Sequence, residues 1–246
     1  MKRSTGIVTV AAVLTTFGSH LEAQAPTESL LGRSERGLPI RMLEWNAEAG
    51  RPILVFGGIH GDERSAGDVA MRLEQHWRGD ASPLQGVHVL LITIANPDGW
   101  KASTRKNANG VDLNRNFPAG WARSDPGSAS YGGARALSEA ESRILYDLVE
   151  RARPKAILSI HSCRSCGGVD NYDGPAAAQA EAMARVNGYK PTPEWDVPTP
   201  GSFGTYAGKS KNIPTITLEI PRNVRGESEL TENVRAIDAF VRTSSR

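Results

Sequence analysis

Residues 87–94, Val-His-Val-Leu-Leu-Ile-Thr-Ile, restrict the fold more than any other stretch, because only His88 and Thr93 interrupt the aliphatic run. A nearly unbroken apolar segment of strand length has no polar face to turn to water, so it belongs in a sheet covered on both sides. His88 has no other ligand type near it in the sequence and reads as a structural side chain. Three further runs read as strands: residues 53–56, entered through Pro52 and closed by Gly57-Gly58, residues 156–160, and residues 214–221. Residues 39–45, where Ile40 and Met42 alternate with polar neighbours, fit an edge strand.

Between these runs the apolar spacing changes to that of helices. Ala66, Val69, Ala70, Leu73 and Trp77 lie on one face of a helix over residues 65–78. Ser138 with Glu141 three residues later has the form of a capping box, opening a helix that runs to Arg153 and stops at Pro154. Pro175 opens an alanine-rich helix ended by Gly188, and Leu230, Val234, Ile237 and Phe240 form the stripe of a last helix over residues 229–243. Helices alternating with apolar strands predict an α/β three-layer sandwich with a central mixed, mostly parallel sheet. Residues 96–133 lose regular pattern, and a long segment of that kind in a compact domain is usually functional.

Lys2 and Arg3, the apolar and small residues 6–18 and the triplet Ala23-Gln24-Ala25 have the form of a secretory signal, residues 1–25. Residues 26–246 then form one catalytic domain. The leader is too short and too rich in threonine to span a bilayer, so a periplasmic or secreted protein is expected. A formal net charge of +2 is too small to argue for nucleic acid or membrane binding, and neither is expected as a partner. A monomer is expected. In an oxidising compartment Cys163 and Cys166, the two cysteines of the chain, are expected to form a small local disulfide.

The chemistry is carried by loops at strand ends. His60 and Glu63 follow the strand at residues 53–56, three residues apart at the entrance to a helix, and His161 follows the strand at residues 156–160. Two imidazoles and one carboxylate suit one Zn²⁺ ion and leave a position for water, as in hydrolytic rather than structural sites. Glu219 lies between Leu218 and Ile220, where a carboxylate is costly without a partner or a task. Beside such a water it would act as general base. Arg105 and Arg115, with Asn114, suggest a clamp for a substrate carboxylate. The polar, acidic segment 167–174, with Asp170 in it, would suit a substrate side chain carrying an amine.

The motifs His60-x-x-Glu63, Asn96-Pro97-Asp98-Gly99, Gly110-Val111-Asp112-Leu113-Asn114-Arg115-Asn116, Ile160-His161-Ser162 and Thr217-Leu218-Glu219 occur in the order seen in zinc carboxypeptidases of the M14 family. The chain resembles that family along nearly its whole mature length, and most of all the bacterial branch that removes diaminopimelate from γ-D-glutamyl peptides of peptidoglycan. The resemblance implies an eight-stranded mixed sheet, zinc on His60, Glu63 and His161, and Glu219 promoting water. It also implies that Arg105 polarises the scissile carbonyl, that Asn114 and Arg115 hold the terminal carboxylate, and that Tyr206 takes the place of a tyrosine above the substrate. The expected substrate is a peptide or muropeptide with a free terminal carboxylate. Alternatives are a carboxypeptidase for ordinary L-peptides and an N-acyl amino acid deacylase of the aspartoacylase or succinylglutamate desuccinylase type. A binding module of the same fold would have lost a ligand or the glutamate, and all four are present.

Overall fold

The computed structural model describes residues 25–193, 199–224 and 226–246. The expected leader, residues 1–25, lies outside them except for Ala25. Eight strands form one sheet in the order β1 (Thr27–Arg33), β2 (Pro39–Trp45), β4 (Val89–Ile92), β3 (Ile53–Gly57), β5 (Ala156–Cys163), β8 (Thr215–Pro221), β6 (Val169–Asp173) and β7 (Lys190–Pro193). The central strands β4, β3, β5 and β8 are parallel, and antiparallel pairings join β1 to β2, β2 to β4 and β6 to β8. The helices are α1 (Arg64–Gly79), α2 (Pro97–Ala102), α3 (Ala140–Ala152), α4 (Ala177–Asn187) and α5 (Glu227–Ser244).

Strand alternation divides the core in two, which is why the central runs carry no polar face. Ile53, Val55, Leu158 and Ile160 pack with Val69 and Leu73 of α1 and Ile237 and Phe240 of α5. Their neighbours Leu54, Phe56 and Ile157 pack on the other side with Leu145 and Leu148 of α3 and with Phe117 and Phe203. The result is the expected three-layer sandwich, mixed at its edges and parallel at its centre. His88 bonds the carbonyl of Gly50 and the carboxylate of Glu44, a structural role on β4's approach.

Several expectations change. Strand β2 is not an edge, because β1 pairs along it from Thr27 with Glu44 to Arg33 with Pro39. Residues 27–33 show little apolar periodicity; the strand forms by backbone pairing to β2. Ser138 does not cap α3: its hydroxyl bonds the Glu139 carboxylate, Glu139 is the N-cap, and the Glu139 amide donates to Asn116 Oδ1. That loop contact supplies what the capping box would have given.

Candidate active site

The ends of three adjacent parallel strands build the site, the location at which open α/β sheets usually carry their chemistry. Strand β3 leads through Gly57-Gly58 to His60, β5 carries His161, and β8 carries Glu219. His161 and Glu219 are register partners on neighbouring strands, so their side chains leave the sheet at the same level and on the same face. The turn after β3 is fixed by two glycines. Gly58 has φ +64°, and a Cβ on Gly61 would lie 1.9 Å from the carbonyl carbon of Gly99. The Asn96-Pro97-Asp98-Gly99 motif supplies that contact: Asn96 accepts from the Gly99 amide at 2.9 Å, capping α2, and donates to the Ile59 carbonyl at 3.2 Å. Its role is to hold the His60 turn.

Glu63 occupies the N-cap position of α1 but makes no capping hydrogen bond with its side chain. The carboxylate turns into the cleft instead. Its Oε1 lies 2.8 Å from His60 Nδ1, and its Oε2 lies 3.2 Å from His161 Nδ1 and 2.9 Å from the Ser162 amide. The ligating atoms of His60, Glu63 and His161 all fall within 4.8 Å of one another, with all three residues buried. Two nitrogens and an oxygen, facing one point through the same nitrogen of each imidazole, fit one zinc ion. The three positions expected from the sequence as metal ligands are thus together.

Asp112 was not singled out in the sequence, although it stands inside the Gly110–Asn116 motif. It is buried, and its Oδ1 lies 3.0 Å from His60 Nε2 while its Oδ2 accepts from Arg105 Nε at 3.1 Å. A carboxylate on the far nitrogen fixes the tautomer and direction of the imidazole. Burial opposes the charge of Asp112, but the His60 hydrogen bond and the charges of His60, Arg105 and Arg115 hold its carboxyl below the ordinary range. Burial also opposes a charged His60, and Glu63 and Asp112 overcome that, raising it to about 9. For Glu219 burial is the largest influence and, with the charge of Glu63, lifts its carboxyl above the usual value against the pull of His161, His60 and Arg105.

A cleft of about 610 Å³ opens over these groups and is lined by Arg105, Asn114, Arg115 and Glu219 as well. Arg105 reaches Glu63 Oε1 at 3.1 Å. Arg115 donates to the Asn114 carbonyl at 2.7 Å, and Asn114 Oδ1 accepts from the Phe203 amide at 2.8 Å, so the clamp is anchored to the chain leading into β8. Burial lowers the pKa of Arg115, and the neighbouring Arg105 lowers it further, opposed by Asp112. Two mutually repelling, partly buried guanidiniums at a cleft favour an incoming carboxylate.

Two expected substrate residues are elsewhere. Tyr206 is buried in the α3-side core, stacked on Phe117 with ring centroids 5.8 Å apart, and its hydroxyl donates to Glu150 Oε1 at 2.7 Å. The aromatic neighbours Phe117, Phe203 and Tyr146 draw it inward, and it does not line the cleft. Asp170 also faces away. Residues 169–173 form strand β6 rather than a loop, so side chains alternate: Asp170 sits opposite Leu218, on the face covered by α1, α4 and α5. Asn171 and Asp173, one residue to either side, line the cleft together with Thr217.

Asp170 is fully buried with one side-chain partner among the described residues, Asn187 at 3.1 Å, and burial raises its pKa to about 7 despite that bond. An acid whose folded pKa exceeds its unfolded value costs no stability while both states are protonated. The loss grows as pH rises from about 4, where the unfolded chain ionises, and is complete above about 7. Asp170→Asn is therefore expected to be increasingly stabilising relative to the parent as pH rises, by roughly 2 kcal/mol more at pH 8 than at pH 5. Denaturant melts at the two pH values check this, and a difference independent of pH would contradict it.

Cys163 and Cys166 are bonded, with Cα atoms 5.7 Å apart, and close a small ring at the end of β5 beside the cleft. No described helix is long and apolar enough to cross a membrane.

Comparison with known proteins agrees with this geometry. Residues 17–167 match the family model described as zinc carboxypeptidase. The murein peptide amidase A of Escherichia coli strain K12 is 34% identical over 206 residues, covering 77% of this chain and 79% of that protein. The crystal structure of murein-tripeptide amidase from Escherichia coli O157 superposes with a TM-score of 0.66 at 25% identity, covering 90% of this chain and 92% of that one. Carboxypeptidase A from Helicoverpa armigera shares the fold, with a TM-score of 0.77 at 21% identity over 90% of this chain and 69% of that one.

Proposed function

Because the chain belongs to the zinc carboxypeptidase family, we propose that it is an exported enzyme that removes a carboxy-terminal diaminopimelate from peptidoglycan peptides, with Glu219 as general base. One observation carries the reaction type: the His60, Glu63, His161 cluster, the in-register Glu219 and the Arg105, Asn114, Arg115 group all line one cleft. Zinc, which His60, Glu63 and His161 would hold, would supply Lewis acidity and lower the pKa of a water.

The chain's own residues do the rest. Asn114 and Arg115 hold the terminal carboxylate and so set the cleavage one residue from the end. Arg105 donates to the oxygen on which negative charge develops. Glu219, whose raised pKa suits a group that takes and returns a proton, accepts one from water and passes it to the leaving amine. Asn171, Asp173 and Thr217 give the terminal side chain a polar wall, suited to the amine and second carboxylate of diaminopimelate better than to a large apolar group. Support for the wall substrate comes from the relatives, which are named as amidases of murein peptides. Support for export comes from residues 1–25 of the sequence.

A carboxylate clamp makes a specific demand. The peptide L-Ala-γ-D-Glu-diaminopimelate is expected to be cleaved, and the same peptide with the carboxylate adjoining the scissile amide converted to a carboxamide is expected to be inert. Equal cleavage of both, followed by mass spectrometry, would remove the carboxypeptidase assignment.

A further inference from the structure

The cleft holds more positive charge than one terminal carboxylate uses. Arg222 lies just beyond the end of β8, three residues after Glu219, and lines the cleft on the side of Asp62. Its backbone is tied at both ends: the amide donates to the Cys163 carbonyl at 3.0 Å, and the carbonyl accepts from Ser65 Oγ at 2.8 Å. Its Nη2 donates to Asp62 Oδ2 at 3.1 Å. Its Nε is buried and has no acceptor among the described residues. That nitrogen is closed to a substrate oxygen as it is to water, but the side chain keeps 23% exposure and lines the cleft, and the guanidinium carries more donors than its single bond to Asp62 uses. Arg164, exposed on the ring between Cys163 and Cys166, also lines the cleft and adds a further guanidinium to it.

Position decides which part of a substrate would meet Arg222. Arg105 and Arg222 flank Glu63, at 3.1 Å and 4.0 Å from the same Oε1, and Asn114 and Arg115 belong to the Arg105 side. A peptide anchored by its terminal carboxylate at Arg115 runs past Glu63 and places the residue before the scissile bond toward Arg222. In a peptide bond made through the γ-carboxyl of glutamate, that residue keeps a free α-carboxylate, where an α-linked peptide has a neutral amide.

We propose that Arg222 is a specificity-determining residue that binds the free α-carboxylate of a γ-linked glutamyl residue on the acyl side of the scissile bond, assisted by Arg164. The proposal rests on the wall-peptide reading above. The Asp62 contact orients the guanidinium, whose remaining Nη N–H groups meet the carboxylate in a planar geometry that lysine cannot reproduce.

The test compares kcat/KM for L-Ala-γ-D-Glu-diaminopimelate with that for the same peptide carrying an amidated glutamyl α-carboxylate. The ratio is taken within each variant, so any loss of folded or zinc-loaded enzyme cancels. The parent is expected to favour the carboxylate by about tenfold or more, the range of a hydrogen bond to a charged group. In Arg222→Gln the ratio is expected to fall to about one, with Arg222→Lys in between and Arg164→Gln showing a smaller decrease. A parent ratio near one overturns the proposal and leaves the wall-peptide reading standing. A large ratio that survives Arg222→Gln overturns it too, since the carboxylate would then be recognised elsewhere. Cleavage of ordinary L-peptides with neither γ-linked substrate touched would remove the wall-peptide reading and the proposal together.

Discussion

Glu219→Gln is expected to lower kcat roughly a thousandfold, the middle of the range for loss of a general base, with zinc content and far-ultraviolet circular dichroism unchanged. The substitution is nearly isosteric and leaves β8 intact. Glu219 is outside the cluster of ligating atoms formed by His60, Glu63 and His161, so the metal should remain. On the proposed mechanism, what disappears is the proton acceptor. Burial and the neighbouring Glu63 raise the Glu219 carboxyl, and such a group shares a proton with water more readily than an ordinary exposed carboxylate. Comparable kcat in the variant would show that another group accepts the proton. A loss of zinc along with activity would show instead that Glu219 supports the metal.

His161→Ala is expected to abolish stoichiometric zinc after dialysis and to bring hydrolysis to the detection limit. The remaining imidazole and carboxylate, His60 and Glu63, are too few ligands for a retained hydrolytic zinc. A graded companion is Asp112→Asn. It keeps all three ligands but weakens the hydrogen bond that orients His60, and about 10–100-fold weaker zinc affinity is expected. Competition with a chelating dye, read beside elemental analysis, measures both variants. Full zinc occupancy in His161→Ala would place the metal elsewhere, and unchanged affinity in Asp112→Asn would reduce Asp112 to a packing role.

What could be read in advance divides along physical lines. The central strands and the metal ligands were legible because they rest on local signals: unbroken apolar runs, and chemistry-bearing residues directly after them. Strands β1, β6 and β7 were not. Their residues gain strand form from backbone pairing, β1 with β2, β6 with β8 and β7 with β6, and the segment 190–193 contains two prolines, which sequence reasoning assigns to a loop. The Asp170 error follows directly, since a loop offers no alternation and a strand turns each neighbour to the opposite face. Tyr206 was placed by analogy of position, and its neighbours Phe117, Phe203 and Tyr146 are far apart in the sequence and meet only in the folded core. Asp112 and Arg222 escaped notice because their partners, His60 and Asp62, lie 52 and 160 residues away.

The proposed reaction is zinc-dependent release of diaminopimelate from a γ-D-glutamyl peptide. The most direct test incubates the zinc-loaded protein with L-Ala-γ-D-Glu-diaminopimelate and identifies the products by mass spectrometry, with a chelator-treated sample and peptides ending in lysine, arginine and phenylalanine alongside. Free diaminopimelate and L-Ala-γ-D-Glu are expected, with no product after chelation and little trimming of the ordinary peptides. Trimming of those peptides with the γ-D-glutamyl substrate left intact would contradict it.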